Sequence, residues 1–405
     1  RSARELYERA FRLGPPVSGA RAEYAEILAA LGLGRLAADV FLEVGGGESG
    51  DPRLVVRAAE QLIMSARVPA GMGLLAAVLR RVGVVAPRTR LFQLVGIVAG
   101  HLRLAWGWLP RAADDLALNA LWVAAAGVAP LDPILSHWYG ARYALLALAT
   151  NDPAVKARSA SLEAILLARF RSTRFGDRAP VRLAEAFRLA ELSGDEAEIA
   201  YAWVAAGAVH WTVQDVGPAT AACERALDLY SRVTSRSVHW EISVTRLWLH
   251  GCYAVNGELN KMLALADAVS DDAAARNDPW ALDAGLFALV CRAHLIRGDV
   301  EGAEAEGRAG DASGAQGGEC GGAVLIDEVE ADLALLRGDV AEAWRAMVRG
   351  RPRRERHQTE VIPALAVDYY SRRGSIAAAL AAGRGEASAA EREAAGRIAA
   401  GDRER

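Results

Sequence analysis

Cysteine, lysine and strand-like alternation are what this sequence has least of. Its four cysteines, Cys223, Cys252, Cys291 and Cys320, stand far apart and form no CxxC pair. A disulfide framework needs denser cysteine in a shorter secreted chain. These four read as buried or idle thiols in a reducing compartment. Only Lys156 and Lys261 among the 47 basic residues are lysine; with the excess of Ala, Gly and Arg this reflects GC-rich coding rather than chemistry. "GGGESG" (45–50) has clustered glycines, but no lysine follows them. It reads as a surface loop and not as a phosphate loop. Kinase signatures are missing too: no Gly-rich loop leads to a strand lysine, and no His-Arg-Asp or Asp-Phe-Gly occurs.

Metal-binding patterns are equally scarce. The seven histidines are His101, His137, His210, His239, His250, His294 and His357. No two share the i, i+4 spacing of a helical metal face, and no HExxH appears. His210–Trp211 and His239–Trp240 read as half-buried side chains, each with one satisfied nitrogen. The pairs Asp114–Asp115 and Asp271–Asp272 lack the third acid of a magnesium–diphosphate motif and read as solvated helix ends. The expectation is therefore no catalytic, cofactor-binding or metal-binding residue in these 405 residues.

No membrane-spanning run stands out. "LFQLVGIVAGHLRLAWGWL" (91–109) is broken by Gln93, His101 and Arg103, and "LALNALWVAAAGVAPL" (116–131) is only 16 residues long. About 20 are needed to cross a bilayer, so both read as buried helices. No charged-then-apolar leader follows Arg1. A cytoplasmic location is expected.

What the chain does have is apolar content and helical rhythm. Apolar residues make up 52% and charged residues 24%, which allows a large core and excludes global disorder. The net charge of −3 offers no global attraction to nucleic acid or acidic lipid. One basic run, "RGRPRRERH" (349–357), reads as a solvated loop. Stretches such as 157–172, 180–194 and 220–233 place apolar residues at i, i+3, i+4 and i+7. Two "NDP" triplets, 151–153 and 277–279, supply an N-cap followed by a proline suited to the first helical position.

The helices are separated by a recurring corner: a small or polar turn, an aliphatic residue, then a small residue three positions on. It appears as "GRLAAD" (34–39), "GELNKM" (257–262), "GDVEGA" (298–303), "GDVAEA" (338–343) and "GSIAAA" (374–379), with weaker copies at 66–71 and 214–219. From Val216 the aliphatic positions run through Leu259, Val300, Val340 and Ile376, at steps of 43, 41, 40 and 36 residues. That period is one helix pair per repeat. Glycine ends the first helix in a left-handed conformation, and Asp or Glu caps the next. The two Arg-Gly-Asp triplets at 297–299 and 337–339 are thus corners and not adhesion signals.

The spacing predicts an all-α fold: a right-handed solenoid of antiparallel, tetratricopeptide-like helix pairs with a period of about 36–43 residues and one continuous core. The array should cover residues 1–380, with a Gly-rich interruption near 306–322 that loops out. Residues 381–405 should form a polar tail, frayed or disordered. "ARELYERAFRLG" (3–14) has the texture of 220–231, a second helix without its first, as if the chain were cut from something longer. Ten tryptophans are expected mainly as core filling, with some lining a concave face that grips a ligand or peptide.

The segment "RAAEQLIMSARVPAGMGLLAAVLRRVGVVAPRT" (57–89) resembles the helical-repeat tail of large bacterial serine/threonine protein kinases, of the myxobacterial type, that also carry an AAA/STAND-type ATPase domain. It keeps Arg57, Ala58, Ala59, Glu60, Gln61, Leu62, Gly71, Leu79 and Arg80, and departs from the usual Ser-Gly-His turn at Ser65-Ala66-Arg67. "SVHWEISVTRLWLHGCYAVNGELNKM" (237–262) and "RGDVAEAW" are similar to later stretches of the same tails, so the likeness spans most of residues 1–350. The resemblance implies a non-catalytic region for protein interaction or ligand sensing. ATP and magnesium would enter only through domains outside this stretch. The implied partner is a protein or peptide on the concave face, or the upstream kinase and ATPase domains, with no nucleic acid and no membrane. Rival readings are the repeat region of a STAND-type transcriptional activator, a free-standing tetratricopeptide adaptor, or an α/α enzyme.

Overall fold

A computed structural model of the chain describes residues 4–8, 18–47, 50–65, 67–108, 110, 114–129, 131–170, 176–233, 237–276, 286–317, 323–357 and 363–401. The fold is all-α, with no strand among the described residues. The first helices are α1 (Ser18–Ala30), α2 (Gly34–Gly45), α3 (Pro52–Met64), α4 (Val68–Arg81) and α5 (Arg90–Ala105). Next come α6 (Asp115–Val128), α7 (Pro133–Leu148), α8 (Pro153–Ala168), α9 (Ala179–Ser193) and α10 (Glu196–Thr212). They are followed by α11 (Val216–Tyr230), α12 (His239–Asn256), α13 (Leu259–Arg276), α14 (Leu286–Ile296) and α15 (Val300–Gly317). The last are α16 (Ala323–Leu336), α17 (Val340–His357), α18 (Pro363–Ala381) and α19 (Ala389–Ala399).

Local chemistry explains several helix starts. Asp51, Asp132 and Asp152 each cap a helix whose first residue is proline. Asp114 and Asp195 cap α6 and α10, accepting from Leu116 N at 2.9 Å and Ala197 N at 2.8 Å. Each carboxylate satisfies a backbone N–H that the helix leaves unbonded. At both Arg-Gly-Asp corners the glycine is left-handed, with φ of 77° at Gly298 and Gly338. The aspartates accept from Gly302 N and Glu342 N, each at 2.9 Å. The arginines pair elsewhere, Arg297 with Asp267 and Arg337 with Glu304. The triplet "NDP" at 277–279 lies outside the described residues.

Each small residue three positions into a corner helix is a packing point. Ala219, Ala303 and Ala343 are fully buried. A Cβ on Gly71 would come within 2.7 Å of Ala59 O and 2.5 Å of the Ile63 side chain. Each helix packs on the next or the next but one, and α3 also packs on α6. The buried residues form several clusters, the largest spanning Ala25–Val238 and the others toward the C-terminal helices or within its span. Two contacts bridge long sequence distances. His239 Nε2 lies 2.8 Å from Ala30 O, 209 residues away, and α10 touches α18.

Several segments differ from expectation. Residues 374–379 are no corner; they lie inside α18, where Ser375 Oγ donates to Ser371 O at 2.9 Å instead of capping a new helix. The Gly-rich stretch continues α15 as far as Gly317, with 318–322 outside the described residues. Glycine in a helix costs roughly 0.5–1 kcal/mol against alanine, a tax and not a prohibition. The tail contains α19, closed by a capping box between Ser388 and Glu391, with Ala395 fully buried. Residues 349–357 are helical and not a loop, with Pro352 inside α17.

The apolar run at 91–105 is inverted. Gln93, Ile97, Gly100 and His101 face inward, while Leu91 (67% exposed), Val95 and Trp106 (61%) face out. Gly96 and Gly100 set this orientation, because a Cβ on either would press on Trp138 or Ala141 of α7. The second run behaves as expected, and α6 is buried almost throughout.

Candidate functional site

Helices from α3 to α18 border a cavity of about 980 Å³. From α6 to α18 its wall comes mainly from every second helix, α6, α8, α10, α12, α14, α16 and α18, with Met262 of α13 added and Ile63, Met64 and Val68 of α3 and α4 completing it. The wall is mainly apolar. Trp211, Trp240 and Trp248 line it beside Ile165, Leu166 and Leu247. Gly251 allows the close approach, since a Cβ there would meet the Trp211 ring at 2.7 Å. Of the other tryptophans, Trp203 is half-buried and Trp280 lies outside the described residues. Trp122, Trp138 and Trp344 are buried in the core, and Trp106 and Trp108 are exposed.

Polar groups on the wall are few and unequal. Toward the C-terminal helices, Arg292 lies 3.3 Å from Glu328, 3.7 Å from Asp332 and 3.7 Å from Asp368. Arg372 pairs with Asp332 and lies 3.5 Å from Asp368. Behind them Arg354 Nη1 donates to Glu328 Oε1 at 2.6 Å, with each side chain only 3% exposed. Burial pushes the Glu328 carboxyl above its usual range, while Arg292 and Arg354 pull it back.

His250 borders this network. It is 3% exposed and lines the cavity, and its Nε2 is buried without a hydrogen-bond partner. Desolvation first, then the Arg292 charge, pushes it down to about 3, so the ring is neutral. Arg169 follows α8 at the other end of the wall. Its Nη1 is buried with no hydrogen-bond partner, and desolvation lowers it to about 10. Gln214, which turns the chain from α10 into α11, is also on the wall. It holds φ of 63°, where other corners use glycine, and is the sole positive-φ non-glycine among the described residues.

Some expectations about individual residues meet the structure directly. His210 Nδ1 lies 3.2 Å from Asp215, and His239 reaches Ala30 O. Asp114 is an N-cap, and Asp272 accepts from Arg246 at 3.1 Å. Cys223, Cys252 and Cys291 are free and buried, and burial pushes the Cys252 and Cys291 thiols up to about 11 and about 12. Cys320 lies outside the described residues. Arginines of the basic run pair with acids of the same chain, Arg349 on Glu330 and Glu342 at the surface, Arg353 on Asp327, and Arg354, the buried one, on Glu328.

One cluster escaped sequence reasoning altogether. His101 of α5 and His137 of α7 meet with their Nε2 atoms 2.8 Å apart, both buried. His101 Nδ1 lies 3.9 Å from Glu163, which Arg182 holds at 2.8 Å. The geometry favours His101 carrying its proton on Nδ1, toward the acid, and His137 donating from Nε2. Their separation of 36 residues hides the pair. The available signal was the inverted face of α5, with two polar residues where its apolar partners should be.

Among the described residues no group of three or more His, Cys, Asp or Glu is placed to hold a metal ion. No described helix is long and apolar enough to cross a membrane. No family model matches the chain, and no curated protein matches it.

Proposed function

We propose that the chain is a right-handed α-solenoid of antiparallel, tetratricopeptide-like helix pairs whose inner face is a non-catalytic surface for docking or ligand sensing. The observation that carries this reading is the lining of one large apolar cavity mainly by every second helix from α6 to α18, with Met262 of α13 the one addition in that range. Pairs stacked side by side put one helix of each pair inside and the other outside. Cavities of a few hundred to a thousand Å³ with few polar groups are typical of binding sites. The resemblance of 57–89 and 237–262 to kinase tails suggests the setting: the regulatory region of a bacterial signalling kinase with an ATPase module.

The test is saturable binding of Nile red, a neutral apolar dye, followed by its fluorescence and by quenching of the wall tryptophans. Ala254, exposed on the cavity wall, offers a block. Ala254→Trp should reduce binding severalfold with unchanged helicity. Binding that is absent, or indifferent to Ala254→Trp, sinks the docking reading. Phosphotransfer from ATP by this chain would sink the non-catalytic one.

A further inference from the structure

Three arginines reach the cavity wall: Arg169, Arg292 and Arg372. Two are neutralised on the spot, Arg292 by Glu328, Asp332 and Asp368, and Arg372 by Asp332 and Asp368. Arg169 has no carboxylate partner among the described residues, and its Nη1 is buried without a hydrogen bond. A guanidinium in that position loses hydration and gains nothing from the protein in return. Beside it the wall is Ile165, Leu166 and Leu162, continuing to the tryptophans.

We propose that this cavity binds an amphipathic monocarboxylate, an acyl chain or similar apolar body along the wall with its carboxylate on Arg169. The proposal rests on the docking reading above and specifies its ligand. A carboxylate matches the planar fork of one guanidinium in geometry and in charge. A phosphate monoester carries about −1.5 to −2 at neutral pH and needs a second cation, but Arg292 and Arg372 are already engaged and stand among Asp332 and Asp368. A peptide is a poorer fit, because its amides would face leucine, isoleucine and tryptophan without partners. His250, neutral and with a vacant Nε2, adds a polar group to the wall without adding charge.

The experiment uses three amphiphiles with one chain and different heads: dodecanoate, dodecan-1-ol and dodecyltrimethylammonium. Each is titrated into the full chain by calorimetry and by displacement of Nile red. An apolar pentapeptide with a free C-terminal carboxylate forms a fourth arm. Dodecanoate should bind about 10- to 100-fold more tightly than the alcohol, the range a charge-assisted hydrogen bond supports, and the ammonium most weakly. Arg169→Gln should bring acid and alcohol to parity while leaving Nile red binding intact. The unliganded variant should melt no lower than the parent, because a partnerless charge has been removed.

Equal binding of acid and alcohol to the parent chain overturns the proposal. So does a peptide that depends on Arg169 where dodecanoate does not bind. A large drop in melting temperature in Arg169→Gln would make Arg169 structural and overturn it too. If Nile red binds and no amphiphile does, the ligand assignment fails and the docking surface survives. If neither binds, both fail.

Discussion

His101 and His137 face each other across α5 and α7 with their Nε2 atoms 2.8 Å apart, in a place from which water is excluded. His137 Nε2–H can donate to a bare His101 Nε2, and a proton added to His101 Nε2 would leave two donors facing each other. Burial favours the neutral rings. It lowers His101, and it pushes His137 down to about 3, helped by the charges on His101 and Arg169.

Acid lability follows in a definite window. His137 and His250 are both held down to about 3 in the fold, against an ordinary 6.5 when unfolded. Below 6.5 the unfolded chain takes up protons that the folded chain refuses. Stability is therefore fully present above about 6.5 and is lost as pH falls toward 3. Each ring should cost about 2 kcal/mol at pH 5 relative to pH 7. Urea midpoints measured at both pH values should converge in His250→Gln by about that amount; an unchanged difference would contradict the buried neutral ring.

The ion pair between Arg354 and Glu328 joins α17 to α16 with both side chains 3% exposed. Removing one partner strands the other charge in the interior. Glu328→Ala should cost about 3–5 kcal/mol in chemical denaturation. The double change Glu328→Leu, Arg354→Met should recover most of it, because two charges of opposite sign leave together. A double variant as unstable as the single one would show that the pair does more than neutralise itself.

Gln214 carries the left-handed backbone that glycine carries at Gly194, Gly257, Gly298 and Gly338. A side chain in that conformation costs about 1 kcal/mol. Gln214→Gly should relieve part of this, raising the melting temperature by a few degrees or leaving it level against the added freedom of the unfolded chain. A clear loss of stability would mean that the glutamine side chain, and not the turn, matters to the fold.

The last helix is held by its own start. Ser388 and Glu391 satisfy each other's backbone N–H groups, at 3.2 Å and 2.8 Å, and Glu391 also accepts from Arg345 at 2.8 Å. Ser388→Ala should cost about 1 kcal/mol. Because α19 packs on α18 at the end of the chain, the cost should show as faster hydrogen exchange across 389–399 and little change elsewhere. Uniform acceleration through the protein would contradict this local role.

Helix starts were legible because their causes lie within four residues. Asp152–Pro153 and the Gly298–Asp299 corner state their geometry in their own letters. The corner pattern misled at Gly374, where the letters matched but α18 has apolar residues on both sides to carry it through. Composition misled at 381–405, where a polar, alanine-rich tail hid a complete capping box. In the basic run at 349–357 the burial of Arg354 was not legible because its acid, Glu328, sits on a different helix; Arg349 is exposed.

The sequence by itself determined that this chain is helical, where several of its helices begin, and some of the small residues, such as Ala303 and Ala343, that let them approach. Those outcomes depend on backbone hydrogen bonds, caps and side-chain size acting over a turn or two. Only the tertiary structure decided which face of each helix looks inward. It turned α5 so that Gln93 and His101 are buried and Leu91 is exposed, and it left Arg169 beside a cavity with no acid to meet it. Such choices depend on the sum of contacts from helices tens of residues away, and nothing local to the chain records that sum.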